Sequence, residues 1–176
     1  LKHTYQPEFL DDRWKVIVLK EQNQIDEQQF KMHQKLVMIQ GDKIESISDK
    51  ACFWCFQLQY LNLKQMKNIG KFSFYSNLSL SLLVLNSVTK ISYSSFALCI
   101  SLRFVEMNEV LIIPVGCFTN CVSLQRAVFK NVLIIEKSGF AGCESLFFLD
   151  IPCAKQVADG AIQFCQEVQF PRGFVL

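Results

Sequence analysis

Two histidines, His3 and His33, and eight cysteines are the side chains from which this chain could build nucleophilic, redox or metal chemistry. Such chemistry needs them to converge: a nucleophile wants a base beside it, and a zinc site wants a closed set of four ligands. Cys52-x-x-Cys55 has the spacing of half a zinc site or of a redox pair. No second C-x-x-C follows it, and the next cysteine downstream is Cys99. Neither G-x-x-x-x-G-K nor G-x-G-x-x-G occurs, so no loop is set up to cradle a phosphate. Asn77-Leu78-Ser79 is an acceptor sequence for N-glycosylation. No catalytic residue, metal or cofactor is expected.

The placement of these residues follows from a repeat of 22 residues that runs without insertion or deletion. One column reads Phe30, Cys52, Phe74, Phe96, Phe118, Phe140 and Ile162, and three residues on stand His33, Cys55, Asn77, Cys99, Cys121, Cys143 and Cys165. Six residues after the first column come Leu36, Leu58, Leu80, Leu102, Leu124, Leu146 and Val168. Cys52-x-x-Cys55 is then the meeting of two core columns in one register, and the cysteine column reads as a stacked row of small, buried, reduced thiols. Only Cys117 and Cys153 lie outside the core columns. His33 and Asn77 sit in the cysteine column, which makes His33 a structural histidine. It also turns the Asn77 amide inward to bond turn backbone, where a glycan would have no room.

A fixed period in the 20s is the signature of a solenoid, whose units bury their apolar faces by stacking on one another. The expected fold is an α/β, β-rich leucine-rich-repeat solenoid of about seven to eight coils, with parallel strands on a concave face and short turns and 3₁₀ or helical segments on the convex face. Residues 1–24 read as a degraded first coil or cap, 25–168 as the solenoid, and 169–176 as an edge or truncated coil, because Pro171 and Gly173 fall on inward strand positions. Strands are expected to centre on Ile39, Leu61, Leu83, Val105, Ala127 and Leu149 in one continuous sheet. The chain begins with Leu1 and reads as a fragment. The 18 residues from Phe72 to Thr89 carry no charge but are interrupted by serines and asparagines, so no transmembrane segment is expected. A net charge of +2 with both signs mixed offers no basic stripe for nucleic acid.

Beside the inward strand positions runs an outward column, Val16, Met38, Tyr60, Leu82, Phe104, Arg126, Phe148 and Phe170, in which Arg126 alone is charged. The next outward column holds Gln40, Asn62, Val84, Glu106, Val128 and Asp150. A contiguous exposed apolar strip marks a contact surface, unless its side chains pack flat on one another. Tyr60, Leu82, Phe104, Glu106, Arg126 and Phe148 are the expected partner-binding residues, with Phe104, Arg126 and Phe148 as the anchor because interface hot spots favour aromatic residues and Arg.

The segments Ser94 to Val105, SSFALCISLRFV, and Ser138 to Pro152, SGFAGCESLFFLDIP, together with the F-x-x-C-x-x-L columns, resemble the BspA-like leucine-rich repeat family, also called the Treponema pallidum type. The resemblance spans about Ile25 to Phe170. It departs in keeping the proline after the strand only at Pro152. It implies a curved, strand-lined interaction scaffold of the kind found in bacterial surface proteins and in parasitic protists, with no catalytic residues. The expected function is therefore a non-catalytic, monomeric module that recognises a protein or glycoconjugate, at the cell surface or secreted by family resemblance. An intracellular, cytoplasmic scaffold and the recognition part of a larger enzyme are the alternatives.

Overall fold

The computed structural model describes residues 16–171, and within them the 22-residue period becomes a parallel β-solenoid. Each coil contributes a three-residue strand to one row: β1 (Val16–Val18), β3 (Met38–Gln40), β5 (Tyr60–Asn62), β7 (Leu82–Val84), β8 (Phe104–Glu106), β10 (Arg126–Val128) and β12 (Phe148–Asp150). A second row of two-residue strands follows each corner: β2 (Gln24–Ile25), β4 (Ser46–Ile47), β6 (Asn68–Ile69), β9 (Ile112–Ile113), β11 (Ile134–Ile135) and β13 (Gln156–Val157). Every strand pair is parallel, and its partners lie 22 residues apart, as in Ile17↔Ile39 and Ala127↔Leu149. Ile17 to Leu149 make six complete turns, fewer than the seven to eight coils expected of the whole chain. Trp14, most of the proposed cap, Gly173 and Phe174 lie outside the described residues.

The alternation of strand side chains explains the core. Ile39, Leu83, Val105, Ala127 and Leu149 point inward and are buried, as are the Leu36-to-Leu146 column and the Ile25-to-Ile135 column. Between them stands a ladder of phenylalanines, with Phe74–Phe96, Phe96–Phe118 and Phe118–Phe140 ring centroids 5.3, 5.4 and 5.2 Å apart and planes within 6° of parallel. Phe129 closes on Phe118 and Phe140 at 5.8 and 5.9 Å.

Two expectations are corrected. The side of each coil opposite the strands holds no 3₁₀ or α-helix among the described residues; it is built of linked turns. A helix would satisfy its N–H groups within the coil. Here alternate N–H groups do so, as in Ala51 to the Ser48 carbonyl. Those between bond across to the next coil, as in Cys52 to Ser73 and Trp54 to Tyr75 at 2.9 and 3.0 Å. Two residues per coil adopt left-handed backbone to achieve this: the column Gln28, Lys50, Phe72, Ser94, Gly116, Ser138, Gly160, and four residues on the column Met32, Trp54, Ser76, Leu98, Asn120, Gly142, Phe164.

The strand row is also not one continuous sheet. It divides into β1-β3-β5 and β12-β10-β8-β7, with the ladder open between Tyr60–Asn62 and Leu82–Val84. At this junction Leu61 is only half-buried where its counterparts are buried, so the apolar contact that seats the other strands is weaker. The coils stay stacked because the Asn68↔Lys90 bridge and the turn bonds Phe72 N to Tyr93 O and Phe74 N to Ser95 O, at 3.1 and 2.8 Å, still join them. The second row divides as well, into β2-β4-β6 and β13-β11-β9. At the far end the strand row stops at a single bridge, Phe148↔Gln169, before Pro171.

Candidate functional site

The residues with chemical potential are used by the fold. Each thiol of the cysteine column donates to the carbonyl of the phenylalanine-column residue 25 positions earlier: Cys55 to Phe30 at 2.9 Å, Cys99 to Phe74 at 3.3 Å, and Cys121, Cys143 and Cys165 to Phe96, Phe118 and Phe140 at 3.2 Å. That carbonyl has two lone pairs. In several coils one takes the N–H three residues on, as His33 N does at Phe30 and Cys121 N at Phe118, which leaves the second for the thiol. Asn77 is buried and fills the same place, its Nδ2 donating to the Cys52 carbonyl at 2.9 Å, so it offers no acceptor for a glycan. His33 is half-buried, with Nδ1 lacking a hydrogen-bond partner among the described residues.

All eight cysteines are free thiols. Burial pushes the Cys99 and Cys117 thiols up to about 12, holding them protonated and unreactive. Burial likewise raises Cys52, Cys121 and Cys143, and a bond to Cys143 followed by burial raises Cys165. Cys117, placed by the repeat outside the core columns, is in fact buried, with Sγ 3.3 Å from the Ser95 hydroxyl; Cys153 is exposed. Among the described residues no three His, Cys, Asp or Glu side chains gather as metal ligands, and no helix is long and apolar enough to cross a membrane.

Register aligns Leu82, Phe104, Arg126 and Phe148 in one row on the strand face, while Tyr60 pairs with Met38 on the far side of the open ladder. Tyr60 and Leu82, on the two sides of the open ladder, are 59% and 56% exposed, and Arg126 is exposed as well. Phe104 and Phe148 are half-buried, and the Arg126 guanidinium carbon lies 4.4 Å from the Phe148 ring centroid. In the next column Glu106 accepts from the amides of Asn86 and Asn108 at 3.2 and 2.7 Å. Val128 and Asp150, read from the sequence as outward, are buried. Val128 is flanked in register by the longer Glu106 and Asp150, and Asp150 lies where the chain returns beside β12.

A second cluster lies outside the repeat columns. On the turn side the rings of Tyr75, Phe53, Trp54 and Phe56 stack in sequence at 5.2, 5.0 and 6.2 Å, and Phe72 meets Tyr75 and Tyr93 edge-on at 5.8 and 5.1 Å. The sequence did carry a signal, since these six aromatics all fall between residues 53 and 93 at turn positions. Trp54 and Tyr93 of this cluster are exposed.

A family model described as the BspA type leucine rich repeat region, with six copies, matches residues 12–125 and 45–169. Three solved bacterial structures share the fold. A leucine-rich repeat protein of Bacteroides ovatus is 20% identical, with a TM-score of 0.60 over 84% of this chain and 49% of its own. A leucine rich cell surface protein of Faecalibacterium prausnitzii is 16% identical, with a TM-score of 0.57 over 88% of this chain and 58% of its own. The leucine rich repeat protein of T. pallidum is 21% identical, with a TM-score of 0.56 over 74% of this chain and 77% of its own. The chain thus spans about half the length of the Bacteroides protein. No curated protein sequence matches it.

Proposed function

Because the chain belongs to the BspA-type leucine-rich repeat family, we propose that it is a non-catalytic binding module which recognises a protein or glycoconjugate through its strand face. The observation that carries this reading is the in-register row of Leu82, Phe104, Arg126 and Phe148, with Glu106 beside it and Tyr60 across the open ladder. It is an apolar and aromatic strip on a surface whose core function is already served by the opposite side chains. A role at the cell surface draws support from the Faecalibacterium relative, which is described as a cell surface protein. The test compares the immobilised protein with the Phe104→Ser/Phe148→Ser double variant in capture from surface-protein and glycan extracts. Capture should fall at least tenfold while the melting temperature moves by only a few degrees. Equal capture by both forms removes this surface, and unfolding of the double variant shows the two rings to be core.

A second reading, an intracellular scaffold using the same face, is favoured by the eight unpaired thiols, since oxidising compartments tend to pair cysteines. Mass spectrometry of the protein isolated from its native cells separates the two, because intact free thiols in a surface fraction restore the first reading.

A further inference from the structure

Arg126, the one charge in the outward column, indicates what the partner must carry. Its guanidinium carbon lies over the Phe148 ring, 4.4 Å from the centroid, a cation–π contact that anchors the group on the row. Phe104 borders it on the other strand and Leu82 lies one strand further, so the surroundings are apolar. Among the described residues no ion pair or hydrogen bond engages this guanidinium. The acids nearby are placed otherwise: Glu106 is held by the Asn86 and Asn108 amides, and Asp150 is buried. An exposed arginine seated over a ring, with its donors unspent, offers its paired N–H edge to a planar acceptor that takes two parallel bonds.

We infer that Arg126 receives a carboxylate of a polypeptide partner, from an Asp or Glu side chain or a chain terminus, with apolar partner residues lying over Phe104 and Leu82. A sugar acid is the poorer fit beside Arg126, because stacking a pyranose there needs an open ring face and the exposed Tyr60 ring stands three strands away. The Phe148 face is taken by Arg126 and Phe104 is half-buried. This inference rests on the strand face being the contact surface.

The test is an NMR titration of the ¹⁵N-labelled protein with N-acetyl-phenylalanine, its uncharged amide, and glucuronate as separate probes. The free acid should shift the Arg126 Nε–Hε signal saturably, the amide should bind at least tenfold more weakly, and glucuronate should bind more weakly than the acid. Arg126→Lys keeps the charge but loses the fork and should bind the acid at least threefold more weakly. Arg103→Lys, immediately before the neighbouring strand β8, should not change binding, and unchanged backbone spectra certify both folds. Equal shifts at Arg103 and Arg126 mean diffuse attraction of anions and overturn the inference. Acid and amide moving the Phe104 and Phe148 ring signals alike, with Arg126 unmoved, overturn the carboxylate while leaving the strand face intact. Preference for glucuronate overturns the polypeptide assignment, and no response anywhere in the column overturns the inference and counts against the surface itself.

Discussion

At the scale of single residues, the repeat assigns the same physical task to every member of a column, and departures show what the task is. The cysteine column needs a short donor facing the preceding coil; a thiol meets it, and so does the Asn77 amide. That is why both cysteines of C-x-x-C have a packing role here: they are buried, and Cys55 donates to the Phe30 carbonyl. Phe118 stacks between Phe96 and Phe140 and also touches Phe129, so Phe118→Ala should cost about 3 to 5 kcal/mol, read by denaturant unfolding, because stacked coils cannot collapse into the cavity. A loss under about 1 kcal/mol would place the ring outside the core. The thiols give a pH prediction. Cys99 has its pKa raised from an ordinary 9.0 to about 12, so the folded chain retains a proton that the unfolded chain releases in that window. Its contribution is complete below about pH 9 and falls by about 1.4 kcal/mol per pH unit up to about pH 12. The stability difference between wild type and Cys99→Val, measured by urea unfolding at pH 8, 10 and 11, should therefore narrow at about that rate. A constant difference would show the thiol to be solvated.

At the scale of elements, the strands were legible from alternation and period alone: Ile39, Leu83, Val105, Ala127 and Leu149 centre strands and are buried. The turn side was not. Apolar spacings of five, three and three in the sequence fit a helical turn equally well, and only three of the fourteen left-handed positions are glycine. The usual marker of that backbone is therefore missing from Lys50, Trp54, Phe72 and Leu98. L-residues tolerate the conformation here because the N–H groups of Lys50, Trp54, Phe72 and Leu98 each reach a carbonyl of the next coil. Lys50 is exposed at φ 53°, and removing its Cβ relieves local strain without losing a core contact. Lys50→Gly should stabilise the fold by about 1 kcal/mol in chemical denaturation, set by the left-handed penalty of a non-glycine residue. Destabilisation by the same substitution would mean that the turn is held by the lysine side chain.

At the scale of the whole molecule, stacking of like on like makes the solenoid a one-dimensional object whose junctions can differ in strength. The sequence predicted which residues share a column, because period and chemistry agree there. It could not predict that the junction between Tyr60–Asn62 and Leu82–Val84 lacks its strand ladder, since Leu61 and Leu83 are chemically the same as the residues that pair elsewhere. Nor could it show that Arg126 lies over the Phe148 ring, because side-chain lean depends on the neighbouring strand. The open junction has a dynamic consequence. Leu85 N and Met107 N donate across to Glu106 and Val128 at 2.9 and 3.1 Å, whereas the matching bond from Leu63 to the coil of Leu82–Val84 is not formed. Amides without a cross-coil acceptor are released by local fluctuation rather than by unfolding of the stack. In hydrogen exchange read by mass spectrometry, peptides covering 60–63 and 81–84 should exchange at least tenfold faster than the peptide covering 104–107, while the turn peptides 72–76 and 94–98 on the same coils stay protected. Uniform protection along the strand row would show the ladder to be closed in solution. Fast exchange in the turn peptides too would mean that the solenoid parts into two stacks at this junction.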